Sequence, residues 1–253
     1  MLLNMAIYIK SEKEIAKIRE AGMIVAEVLK RVEGRLLVGT SLKELEDFCE
    51  DLIRSQQGIP AFKGYKGFPG AVCLSLNEEI VHGVPDGRRL KEGDILKIDV
   101  GVIKDGYFAD GAKTYPIGKV NKKVRDLIYI TRAALACGIE NAREGKRVGD
   151  IGAAIQSLVE GAGFSVVRDL TGHGVGVELH EDPQIPNFGK KDSGFLLKRG
   201  MTLAIEPMVN MGSYKTETKK NGWTVVTKDR LPSAHFEHTV LVTKDSPVIL
   251  TDG

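Results

Sequence analysis

The 253-residue sequence predicts a single α/β (α+β) domain built from two similar halves. Three observations predict it. Two serine capping boxes open amphipathic helical text in the first sixty residues. The dipeptide Asp105-Gly106 separates two strand-like runs. After residue 120 the order of helices and then strands recurs, with no linker, low-complexity run or short repeat between the halves.

The first helix begins at Ser11-Glu12-Lys13-Glu14, where hydroxyl and carboxylate can satisfy each other's orphan amides. Ile15, Ile18, Val25, Leu29 and Val32 follow at helical spacing. Ser41-Leu42-Lys43-Glu44 repeats the device ahead of Leu45, Phe48, Cys49 and Leu52. A glycine and aromatic loop then runs from Phe62 to Gly70. Residues 71–76, 94–103 and 106–116 read as strands. Asn121 starts a helix running to about 144, and Gly149 or Asp150 starts another ending near Gly161. From 164 onward the text is strand-like again, with dense glycine at 172–176.

A composition of 42% hydrophobic and 28% charged residues is that of a globular protein. A chain of this length can bury about three-quarters of its unfolded surface. The net charge of +2 gives no sign of a specific nucleic-acid or membrane partner. No stretch approaches the ~20 apolar residues of a membrane span. The charges of residues 11–14 arrive before a signal-peptide core could form. Cys49, Cys73 and Cys137 are odd in number and unclustered, which does not make a disulfide framework and fits a reducing, cytoplasmic setting.

The chemistry lies in acids and histidines set in text that should be core. Asp99 stands in Ile98-Asp99-Val100 and Asp110 in Phe108-Ala109-Asp110. A turn centred on Lys104-Asp105 makes paired residue numbers sum to 209 and sets Asp99 opposite Asp110. A three-residue loop shifts that register by one, and in another register one Asp faces water. Opposed carboxylates ~5 Å apart at Cβ repel, so something positive should lie between them. Two metal ions ~3.5–4 Å apart would suit. His173 is flanked by glycines in Gly172-His173-Gly174-Val175-Gly176, which permits unusual backbone angles and close approach. His180 and His82 each read alone as surface or satisfied core histidines. Glu206 stands in Leu203-Ala204-Ile205-Glu206-Pro207-Met208 and Glu237 in Phe236-Glu237-His238. Each reads either as a strand residue facing water or as a buried, ligating carboxylate.

Taken together, Lys97-Ile98-Asp99-Val100-Gly101, Tyr107-Phe108-Ala109-Asp110, Thr171-Gly172-His173-Gly174-Val175-Gly176, Ile205-Glu206-Pro207-Met208 and Phe236-Glu237-His238 resemble the type I methionine aminopeptidases. The resemblance spans nearly the whole chain. It implies the pita-bread fold, with pseudo-two-fold related halves and a curved antiparallel sheet covered by helices, as one catalytic domain over residues 1–253. Prolidases and proline aminopeptidases share that fold but carry a separate N-terminal domain that this sequence lacks. The insertion between His180 and Glu206 that marks type II methionine enzymes is also missing. Met1 to Asn4 read as an extended start.

The resemblance also implies roles. Asp99, Asp110, His173, Glu206 and Glu237 would hold two divalent metal ions, and this oxygen-rich set favours cobalt, manganese or iron over structural zinc. Removal of the initiator methionine would proceed by hydroxide attack between the metals, with Glu206 as general base and then acid. His180 would bond the carbonyl oxygen, and His82 the scissile amide nitrogen. Tyr65, Phe68, Cys73 and Trp223 would wrap the methionine side chain, with Phe62, Phe68 and Leu179 at rim positions where members of the family differ. Implied partners are peptide N-termini beginning with Met and followed by a small residue, and the ribosome, for which the sequence displays no docking patch. The enzyme would act as a monomer. Two alternatives remain at this point. One is a prolidase-like peptidase on the same metal core. The other is a non-catalytic pita-bread binding protein, whose kind lose metal ligands that this chain keeps.

Overall fold

Helix starts are set by side chains that cap them. In the computed structural model, which describes residues 7–253, α1 (Glu12–Val32) and α2 (Leu42–Ser55) both open on complete capping boxes, Ser11 with Glu14 and Ser41 with Glu44. The expectation for Met1 to Asn4 lies outside the described residues. α3 (Lys122–Glu140) is capped by Asn121. It ends before the expected 144, because the Asn141 side chain donates to the Cys137 carbonyl at 2.9 Å and caps the last turn. α4 (Val148–Gly161) starts a residue early, since Asp150 accepts from the Arg147 amide and makes Arg147 the N-cap residue.

Between α2 and α3 lie β1 (Ile59–Pro60), β2 (Cys73–Leu76), β3 (Glu79–Val81), β4 (Ile95–Lys104) and β5 (Tyr107–Pro116). After α4 come β6 (Ser165–Val166), β7 (Thr171–Gly174), β8 (Glu181–Pro186), β9 (Thr202–Ile205), β10 (Met208–Asn210), β11 (Thr216–Thr218), β12 (Val225–Thr227), β13 (Ser233–His235), β14 (Glu237–Leu241) and β15 (Val248–Ile249). Among the described residues, nine strands form one antiparallel sheet in the order β1-β4-β5-β14-β9-β7-β8, with β2 also on β4 and β15 on β14. Two three-stranded sheets, β13-β10-β6 and β11-β12-β3, account for the others. No helix among the described residues is long and apolar enough to cross a membrane.

Each helix pair has its own core on the shared sheet. α1 and α2 bury Ile18, Val25, Leu45 and Ile53 with Leu96, Ile98 and Val100 of β4. α3 and α4 bury Leu127, Leu135, Ile151 and Ile155 with Leu203 and Ile205 of β9. Side chains of this size contribute ~1.5–3 kcal/mol each when fully buried. Because side chains alternate along a strand, the even residues of β4 that enter the core leave Lys97, Asp99 and Gly101 for the opposite face.

The β4–β5 register corrects the expectation. Paired numbers sum to 211, not 209, so Asp99 faces Ala112 and Asp110 faces Gly101. The turn is Asp105-Gly106, whose φ values of 47° and 81° suit a two-residue primed hairpin turn. A shift of two preserves the face. The two carboxylates are diagonal neighbours instead of an opposed pair, still within reach of each other.

Candidate active site

In the sheet order β4-β5-β14-β9-β7, successive strands bring Asp99, Asp110, Glu237, Glu206 and His173 to one cavity, with Glu206 lying one residue past β9. Glu237 and Asp99 both pair with Ala112, from opposite edges of β5, so the three residues form a row across the sheet. Asp110 is fixed by Thr239, whose hydroxyl accepts from its amide at 2.9 Å and donates to its carbonyl at 2.8 Å. The Gly111 amide donates to Asp110 Oδ1 at 2.9 Å. His173 sits where the β7–β8 pairing slips register between Gly172 and Gly174. Close approach is what requires glycine here: a Cβ on Gly172 would lie 2.3 Å from the Ala204 carbonyl oxygen, and one on Gly174 2.5 Å from that of Asp182.

Donor atoms of Asp110, His173 and Glu237 lie within 4.8 Å of one another. His173 Nδ1 is 2.9 Å from the Gly174 carbonyl oxygen, so it carries the ring proton and Nε2 offers a lone pair to the cavity. That Nε2 lies 3.6 Å from Glu206 Oε1 and 4.0 Å from Asp110 Oδ2. Asp99 Oδ1 and Glu237 Oε1 are buried with no hydrogen-bond partner among the described residues. Among the described residues, no lysine or arginine forms an ion pair with any of these four carboxylates; histidines are their only basic partners. Burial pushes all four carboxyls up, and the Asp110 charge adds to the rise at Asp99, Glu206 and Glu237. Burial pushes His173 down to about 4. A cation bound among them would favour the ionised acids and the neutral imidazole. Donors on opposite sides of one ion at ~2.1 Å are ~4.2 Å apart, close to the observed spread. The buried orphan oxygens, the spacing and the hard donor set all fit divalent metal.

The cavity measures about 210 Å³, and it is also lined by His82, His180, Tyr65, Phe68, Cys73 and Trp223. All of the sequence-predicted site residues therefore meet in one place. Cys73 pairs directly with Asp99 across β2–β4, so the apolar wall adjoins the carboxylate floor. Phe62, Phe68, Cys73 and Leu179 form a buried cluster with Tyr65 and Trp223 packed against it, and the Phe68 and Trp223 rings meet edge to face at 5.3 Å. Burial, followed by the nearby Asp99 charge, pushes the Cys73 thiol well up, which suits a packing role and not a nucleophilic one.

His180 Nδ1 lies 2.9 Å from the Tyr65 hydroxyl, with the rings stacked at 5.2 Å. The turn that carries it is pinned: Glu181 accepts from the Val177 and Glu178 amides at 2.6 and 3.1 Å and pairs with the buried Lys10. His82 adopts a φ of 56°, its carbonyl accepts from the Thr224 hydroxyl at 3.2 Å, and burial lowers its pKa.

Sequence reasoning missed three residues. His235 is 1% exposed, and its Nε2 lies 3.6 Å from Glu206 Oε2. Burial, then His82 and Lys97, push its pKa down to about 3. Its place two residues before Glu237 was the available signal. The Asn187 side chain donates to the Glu206 carbonyl at 3.0 Å from a loop with no sequence signature. Lys66 lines the cavity from the aromatic loop. His238, beside Glu237, bonds the Thr251 hydroxyl at 2.8 Å and takes no part in the cavity.

The profile of metallopeptidase family M24 matches residues 16–244. Methionine aminopeptidase 1 of Bacillus subtilis is 48% identical over 242 residues, covering 96% of this chain and 98% of that one. The crystal structure of methionine aminopeptidase from Thermotoga maritima superposes with a TM-score of 0.97 at 44% identity, over 98% of this chain and 100% of that one. The prolidase from Pyrococcus furiosus is more distant, with a TM-score of 0.78 at 25% identity and 65% of that chain matched. The pita-bread architecture expected from the resemblance is the fold these relatives share with this chain.

Proposed function

Because the chain belongs to metallopeptidase family M24, as a type I methionine aminopeptidase, we propose a division of labour among the pocket residues for removing the initiator methionine. Asp99, Asp110, His173, Glu206 and Glu237 hold two divalent cations, drawn from manganese, iron or cobalt. When bound, the cations supply Lewis acidity toward the attacking water, the scissile carbonyl and the free α-amine. Glu206 takes the proton from the attacking water and returns it to the departing amide nitrogen, as base and then acid. The Tyr65 hydroxyl donates to His180 Nδ1, which leaves His180 Nε2–H to bond the carbonyl oxygen as it gains charge; one such donor is worth ~3–4 kcal/mol elsewhere. His82 contacts the scissile nitrogen. Tyr65, Phe68, Cys73 and Trp223 enclose the thioether, which suits contact between sulfur and aromatic rings.

The observation that carries this reading is the pairing of Cys73 with Asp99, which sets an apolar side-chain pocket beside the acidic floor. A cavity of about 210 Å³ is smaller than the ~300 Å³ at which pockets for drug-sized ligands begin, and this supports a single bound residue followed by a small one. We read residues 1–253 as one catalytic domain, monomeric and cytoplasmic, acting on new polypeptides. The test compares Met-Ala-Ser, Met-Leu-Ser and Ala-Pro under one manganese condition. Met-Ala-Ser should be cut once, releasing methionine, and Met-Leu-Ser far more slowly, since overpacking costs ~1–3 kcal/mol. Fastest hydrolysis of Ala-Pro would overturn the substrate assignment, and no turnover of any peptide would favour a binding protein.

A further inference from the structure

Glu206 stands between two imidazoles that differ in chemistry. His173 Nε2 is 3.6 Å from Oε1, but its ring proton is engaged at Nδ1 by the Gly174 carbonyl, so it offers Glu206 only a lone pair. His235 Nε2 is 3.6 Å from Oε2, and neither ring nitrogen of His235 has a hydrogen-bond partner among the described residues. At 1% exposure, solvent cannot serve this ring. A buried N–H needs an acceptor, and the Glu206 carboxylate lies beside it. The backbone holds the two residues at a set spacing. His235 pairs with Met208, two residues after Glu206, and the Thr114 hydroxyl accepts from the His235 amide at 2.9 Å and donates to its carbonyl at 2.6 Å.

We propose that His235 is a positioning residue that donates from Nε2 to Glu206 Oε2, holding that oxygen back so that Oε1 alone faces the His173 side of the site. A movement of about 0.6 Å closes the contact to a normal hydrogen-bond length. Held in this way, Glu206 cannot rotate its carboxylate, and one defined oxygen is presented to the reacting groups. The inference rests on Glu206 as the group that moves the proton.

The experiment uses three variants of the full chain. His235→Gln returns a donor near the Nε2 position, His235→Asn puts one near Nδ1, and His235→Leu removes it. His235→Leu and His235→Asn should each lower kcat by about tenfold or more, the scale set by losing a hydrogen bond to a charged group. KM, manganese stoichiometry and Tm should stay near wild type. His235→Gln should recover most of the turnover. Selective 15N-histidine labelling of the wild type should show a ring N–H protected from solvent exchange that shifts in Glu206→Gln, and this readout stands even if a His235 variant fails to fold. Wild-type kcat in His235→Leu, equal losses in His235→Gln and His235→Asn, or the absence of a protected ring proton would overturn the assignment. Full turnover in Glu206→Gln would sink the Glu206 reading itself. A dead Glu206→Gln beside an unimpaired His235→Leu would sink only the role of His235.

Discussion

Replacing Glu237 by Gln should stabilise the metal-free protein at neutral pH and leave it less stable than wild type once manganese is added. Glu237 is 2% exposed, its Oε1 has no partner among the described residues, and it lies within a 4.8 Å cluster with Asp110 and His173. Burial, then Asp110, Glu206 and Asp99, push its carboxyl well up. The folded chain therefore binds this proton more tightly than the unfolded chain does. Its contribution is intact below the unfolded value of ~4.3 and is lost as pH rises toward the folded pKa. Two unit charges 4.8 Å apart interact by about 3–4 kcal/mol at an effective dielectric of ~20, which sets the scale of the relief per charged neighbour. A net gain of about 1–3 kcal/mol, at ~2–4 °C per kcal/mol for a chain of this size, raises Tm by roughly 2–12 °C at pH 7.5. The gain should shrink toward pH 5, where the wild-type carboxyl keeps its proton. The histidines lowered by burial titrate with the opposite sign, but equally in both proteins. Manganese at 1,000 times Kd adds ~4.1 kcal/mol to wild type and little to the variant, inverting the order. Differential scanning calorimetry on chelated and reloaded protein reads both. A metal-free variant less stable than wild type at pH 7.5 would refute the claim that repulsion among buried carboxylates dominates the site.

Extensive chelation should abolish turnover and Mn²⁺, Fe²⁺ or Co²⁺ should restore it; full activity with no metal found by mass spectrometry would defeat the assignment. Asp110→Asn should lose metal together with turnover, whereas His82→Ala should keep its metal and turn over slowly. Metal loss in the second would place His82 among the ligands. Glu181→Gln leaves Lys10 buried without its anionic partner and should cost about 3 kcal/mol in urea denaturation. Unchanged stability would show that the pair does not anchor the turn carrying His180.

Helix starts are legible because their signals are local: Ser11 with Glu14, and Ser41 with Glu44, each close within one turn. Strand register is not local in that sense. The alternation that buries Leu96, Ile98 and Val100 fixes which face each residue takes, but a slip of two residues preserves every face. Hydrophobic pattern alone therefore cannot separate a pairing sum of 209 from 211. The positive φ of Asp105 and Gly106 decides it, and Asp-Gly was present in the text as a turn without being given the central position.

The same invariance explains why the acidic pair pointed to a cation although its register was misplaced. A shift of two keeps Asp99 and Asp110 on one face, so the repulsion that calls for a positive partner survives as a diagonal contact. Residues brought in by long-range pairing carry no such protection. Cys73 reaches the site because β2 pairs β4, and Trp223 lies two residues before β12, which pairs β3; resemblance to a family, not periodicity, points to both. His235 marks the boundary most clearly. Continuous strand text runs through Ala234-His235-Phe236-Glu237, yet the chain changes sheets at Phe236: β13 joins β10, while β14 joins β5 and β9. His235 comes to Glu206 through the ladder that pairs it with Met208, not through the alternation it shares with Glu237. Alternation along one strand specifies a face, but which distant carboxylate waits there is written only in the pairing between strands.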